Sequence, residues 1–149
     1  MPKLLIFAAC EKVILDQKNV ISLMSLLQEV TAELPAGVSI VPQTASAPWQ
    51  WTIVSIWEKF RSDQGKTFEQ RSAFVTNTGV KLLETPTATF EFKGDYHRII
   101  SQIAVMPIGI SGKHLIKAFL RENGSTQWEE VGVYPLEIKW ITTPSSVVN

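Results

Sequence analysis

A single cysteine, Cys10, stands in the whole sequence, so no disulfide can form within the chain. A lone thiol fits a reducing compartment, and the chain is expected to be cytoplasmic. Histidine is nearly as scarce, with only His97 and His114. A structural zinc site takes four Cys or His ligands at close spacing, and these three residues lie far apart, so no metal or other cofactor is expected. Excess charge is missing too: 14 Lys and Arg balance 14 Asp and Glu. Zero formal charge gives no electrostatic footprint for nucleic acid or for an anionic membrane, and neither is expected as a partner. It also leaves little repulsion between copies, which favours a homo-oligomer. No apolar run approaches the roughly 18 residues that span a bilayer. The opening MPKLLIFAAC places a lysine and an apolar run before a cysteine, in the manner of a lipoprotein signal. Its apolar stretch, Leu4 to Ala9, falls short of the roughly 7–15 residues such a signal needs, so a buried strand is expected instead.

What is present is a globular composition, 45% hydrophobic and 19% charged over 149 residues, which suits one domain. Short alternating or β-branched runs recur between turn residues. KLLIFAACEKVIL (3–15) is apolar on both faces at its start and reads as a covered strand. WTIVSIWEKF (51–60) and TFEQRSAFVT (67–76) form a strand pair around the turn at Asp63–Lys66. ATFEFKGD (88–95) and YHRIISQIAVM (96–106) follow. VISLMSLLQEV (20–30) and KHLIKAFLREN (113–123) also fit a helical face, but the first follows a short polar turn and the second precedes Asn123-Gly124, a strong hairpin signal. Both are therefore expected to be strand, the first in its leading half. In the final run, Val131 and Val133 are odd, whereas Leu136, Ile138 and Trp140 are even. Such a flip of apolar phase requires one extra residue, and with Pro135 suited to an edge or bulge, a bulge or a switch between sheets is expected near Tyr134-Pro135. The expected fold is an all-β antiparallel two-sheet sandwich of about eight strands, with at most one or two short helices. It occupies residues 1–140, with a frayed tail over 141–149.

PIGISGKHLI (107–116) resembles a phosphate-binding loop at a glance, but Pro107 stands where the first glycine is needed and His114 where Ser or Thr should ligate magnesium. Gly109 and Gly112 read as turn residues instead. Cys10 with His97 or His114 is the one nucleophile–base set available for a small hydrolase. However, Cys10 sits in an apolar run and both histidines flank turns, where they are expected to be solvated, so no catalytic residue is assigned. Of five tryptophans, Trp51 and Trp57 share an apolar strand face and are expected in the core. Trp49 lies in a polar, proline-bounded loop and is the candidate ligand-binding residue; exposed tryptophans would suit a glycan-binding sandwich. The leading functional expectation is a non-catalytic intracellular binding or assembly module with an unidentified protein partner.

ACEKVILDQKNVISLMSLLQEV, WTIVSIWEKF with FEQR, and the late PIGISGKHLIKAFL with its following Trp and YPLEI resemble an uncharacterised bacterial family of small β-sandwich proteins. Members carry a hairpin with an acidic turn at the start and a Pro…Gly-hydrophobic run near the end. The resemblance implies a sandwich, and strands for both ambiguous segments. It implies no activity and no site residues.

Overall fold

The computed structural model describes residues 1–38 and 40–142. The chain is all-β: twelve strands, one 3₁₀ turn at Arg61–Asp63 and no α-helix among the described residues. In chain order the strands are β1 (Lys3–Leu15), β2 (Ile21–Leu26), β3 (Glu29–Leu34), β4 (Ser46–Ala47), β5 (Trp51–Glu58), β6 (Thr67–Thr76), β7 (Lys81–Glu84), β8 (Ala88–Glu91), β9 (Tyr96–Ile103), β10 (Met106–Pro107), β11 (Gly112–Glu122) and β12 (Glu129–Thr142). They form three sheets rather than two: a four-stranded sheet ordered β2-β1-β5-β9, a β10-β4 pair, and a six-stranded sheet ordered β3-β12-β11-β6-β7 with β8 also on β6. Pairing is antiparallel except for β12 with β3, which is parallel. The expected tail begins within β12 at Ile141 and otherwise lies outside the described residues.

Both segments of ambiguous periodicity are strand. The first divides, because adjacent residues bond to different sheets. Leu27 N–H donates to the Ala9 carbonyl in the four-stranded sheet, and the Gln28 carbonyl accepts from Glu137 N–H in the six-stranded one. The phase break in the last strand is real but lies three residues before Tyr134. The register slips between the pairs Ala118–Gly132 and Phe119–Glu130, leaving Val131 as the extra residue. Gly132 explains the position, since a Cβ there would lie 2.6 Å from Leu4 Cδ2. The bulge falls where the strand carries no side chain to meet β1. Pro135 is not on a sheet edge as a whole, but β3 pairs only with Glu137–Thr142, so Pro135 lies where β12 has one ladder neighbour.

Side chains of the two larger sheets share their cores. Trp51 and Ile53 of β5 pack with Phe74, Ile116, Leu136 and Ile138 of the six-stranded sheet. A second cluster joins Trp57 to Phe68, Phe90, Phe92 and Leu120. Polar groups cross between the sheets inside this apolar layer. The Trp57 indole N–H donates to Gln70 Oε1 at 2.6 Å, and Gln70 Nε2 donates to Ser55 Oγ at 2.8 Å. The PIGISG segment is a packed turn. Gly109 leaves no room for a Cβ, which would fall 2.3 Å from the backbone oxygens of Pro42 and Gln43, and Gly112 adopts φ +118°.

Two stability changes follow. Gln70→Leu strands the Trp57 N–H and the Ser55 hydroxyl in the core and is expected to cost roughly 3 kcal/mol in urea unfolding. Gly109→Ala, overpacked against backbone, is expected to cost about 3 kcal/mol or more in the same measurement.

Candidate functional site

The site is built by a hairpin that bends back on its own sheet. The turn Asp16-Gln17-Lys18-Asn19 is held tightly. Asp16 Oδ1 accepts from the N–H groups of Lys18 and Val20, both at 2.8 Å, and Asn19 N–H donates to the Asp16 carbonyl. Asn19 takes φ 61°, a left-handed conformation that asparagine tolerates. Farther down the hairpin, Ser25 also has positive φ (57°), and the β1–β2 ladder skips the Glu11–Ser25 pair. This irregularity is where the hairpin departs from the plane of the sheet.

Arg98 shows how far the hairpin bends. It lies on β9, level with Ile56 of β5 and, through β5, with Ile6 of β1. The hairpin tip would project well past that level, beyond Cys10, if β1 and β2 ran straight. Instead Arg98 Nη2 donates to the Asn19 carbonyl at 2.7 Å and Nη1 to Asn19 Oδ1 at 3.4 Å. The tip is therefore folded back across β5 to β9. Cys10 and Val54 are both 0% exposed although their side chains sit on the sheet face opposite Ile53 and Trp51. Beside the arch lies a groove of about 780 Å³. Its walls include Lys12, Val13 and Leu15 of β1, Thr52 of β5, and Ile100 and Gln102 of β9.

The sequence-predicted candidates are dispersed. Cys10 is buried on β1; burial pushes its thiol up from the ordinary value, and it makes no hydrogen bond to either histidine. Through Thr52 it is level with Gln102, whereas His97 is level with Trp57 at the other end of β5. His97 is half-buried rather than solvated. Its ring stacks on Phe90 with centroids 4.6 Å apart, and burial lowers its pKa from the ordinary value. His114, expected to be solvated, is buried on the other sheet against Phe74. Its Nε2 donates to the Ile110 carbonyl at 2.6 Å, and its Nδ1 has no partner. Trp49 is partly buried against the main core. Trp51 and Trp57 are core residues, as expected. Trp128 is covered by the guanidinium groups of Arg71 and Arg121, 4.4 and 4.3 Å from its ring. Trp140 is partly exposed and bonds through its indole N–H to the Ile108 carbonyl. Among the described residues no three His, Cys, Asp or Glu side chains gather as a metal site, and no helix is long and apolar enough to cross a membrane. The groove residues were not legible beforehand. The acidic turn was visible, but its pairing with Arg98, 79 residues away, left no sequence signal.

No protein-family model matches the chain, and no curated protein matches it by sequence. Among solved structures it is similar to an alkylpurine DNA glycosylase of Pseudomonas fluorescens bound to DNA containing an abasic-site analogue. The match has 14% identity and a TM-score of 0.36, and covers 73% of this chain but only 27% of that one. The expectation of no nucleic-acid partner is withdrawn in the face of that match. It rested on net charge, which says nothing of where charges sit, and Arg71 and Arg121 do sit together on Trp128. A likeness this remote assigns no DNA binding to this chain.

The burial of His97 gives a pH test. Its folded-state pKa lies below that of the unfolded chain, so the unfolded state takes up the proton first as pH falls. Stability is expected to decline as pH drops below about 6.5. In parallel thermal melts from pH 8 to 5, His97→Phe should show a shallower decline.

Proposed function

We propose that this chain is a non-catalytic binding module whose ligand occupies the groove beside the β1–β2 arch. The groove itself carries the reading: a concave space of about 780 Å³ lined by mixed polar and apolar side chains. That size lies within the roughly 300–1,000 Å³ range of ligand sites. The Arg98–Asn19 hydrogen bonds hold it open at the hairpin tip. The four- and six-stranded sheets are read as the two layers of one sandwich domain, with the arch added to the outside of the smaller layer; their shared core supports this. The lone buried thiol supports a reducing, intracellular setting. A hydrolase reading draws no support from Cys10, which sits away from both histidines. A glycan-binding reading draws none from the tryptophans, which are buried, covered or scattered.

A thermal-shift comparison tests the proposal. Wild type and Gln102→Trp, which fills the groove from an exposed position, are each heated with peptides, oligosaccharides, oligothymidine and nucleotides. A ligand at 100 times its Kd stabilises the folded state by about 2.7 kcal/mol. At least one class is expected to raise the Tm of wild type by several degrees and to leave the variant unmoved. Equal shifts in both proteins, or none from any class, would overturn it.

A further inference from the structure

We infer that the groove takes an extended peptide segment, added as a strand along the free edge of β1; this rests on the groove being the binding site. β1 changes partners midway. Lys3–Cys10 pair with β5 on one side, and Cys10–Leu15 pair with β2 on the other. Because β5 begins at Trp51, which the register sets opposite Glu11, the stretch from Lys12 to Leu15 has no ladder partner on that side among the described residues. The chain upstream of β5 pairs through β4 with β10 and makes no ladder with β1.

Backbone direction alternates along a strand, so the hydrogen bonds at the hairpin end assign the remaining groups. Asp16 N–H donates to the Val20 carbonyl, closing the ladder with β2. Ile14, two residues earlier, faces β2 as well, opposite Ser22. Val13 and Leu15 therefore turn their N–H and C=O groups to the other edge, and both residues line the groove. Such a row of unpaired donors and acceptors is the recognition surface used in strand addition, where the backbone supplies affinity and alternate side chains supply selectivity.

The lining matches that occupant. Across the groove stand Ile100 and Gln102 of β9, one apolar and one polar side chain for an added strand to meet. The charged liners Glu11 and Lys12 cancel, which complements an uncharged polypeptide backbone. The edge from Lys12 to Asp16 accommodates roughly five residues at about 3.3 Å each. An inserted strand would also join β1 to the β9 side of the groove, closing the arch.

The test selects decapeptides from a random displayed library on immobilised wild-type chain, then measures binding and amide hydrogen exchange with the recovered peptide. Binding is expected to weaken at least tenfold in Gln102→Trp, whose core amides should stay protected as in wild type. Exchange at Val13 and Leu15 should slow about tenfold or more in the complex, while Ile14, already bonded to β2, stays unchanged. N-methylation of the peptide at alternate residues should weaken binding tenfold in one phase and under twofold in the other. Peptides that bind without slowing Val13 and Leu15, or that tolerate methylation in both phases, would overturn the inference. So would recovery of no peptide while oligothymidine or an oligosaccharide stabilises wild type but not Gln102→Trp. That last outcome leaves the groove as the binding site with a different ligand.

Discussion

The side-chain amide of Gln70 is the polar link between the two main sheets. It accepts from the Trp57 indole and donates to Ser55, both on β5, from the middle of β6. Each of these groups is buried, and each would be costly to leave unpaired in an apolar layer. Hydrophobic packing between the sheets is tolerant of small slides, but these hydrogen bonds are not. They fix where β5 lies over β6, and β5 in turn carries β1 and β9 on its two edges. The strands that wall the groove are thus carried on a β5 positioned by one buried amide.

The groove results from two departures from a flat sheet. Past Cys10, β1 exchanges β5 for β2, and the irregularity at Ser25 lets the hairpin bend. Arg98 then holds the bent tip through one backbone carbonyl and one side-chain oxygen. Neither partner is deeply buried, so the arch is attached at its far end by exposed polar contacts rather than by a core. Exposed hydrogen bonds of this kind open with small free energies. The arch is the part of the four-stranded sheet best suited to yield when something enters beside it.

The alternation of Phe68 and Phe74, the β-branched run from Trp51 and the Asn123-Gly124 turn placed β5, β6 and β11 close to where they lie along the chain, because each is a local property of two or three neighbours. The expected pairing of β5 with β6 fails, since the turn between them carries the chain from one sheet to the other. The division of residues 20–30 was hidden. Leu27 and Gln28 are consecutive, and only their distant partners, Ala9 and Glu137, send them to different sheets. The phase flip in β12 was readable as arithmetic, but its position depended on Leu4 meeting Gly132, a contact between the two ends of the chain. Trp49 looked available because its neighbours are polar and proline-flanked. Its large ring instead found the core that those neighbours surround. The groove was the least legible feature, since it is an absence of pairing along β1 and no residue type announces that.

The parallel pairing of β3 with β12 has a consequence for how the molecule is made. Residues 29–34 find their partners at 137–142, and β12 also supplies the neighbour of β11 from Gly112 to Leu120. The six-stranded sheet cannot close until β12 has been synthesised, because β12 lies between β3 and β11. Until then β3 and β11 each present an unpaired edge, and the apolar side chains meant for β12 have no cover. Such long-range pairings are slow to form and leave the nascent chain exposed to wrong partners. The Leu27–Ala9 bond, made early between near neighbours in sequence, anchors β3 beside the growing core through that interval.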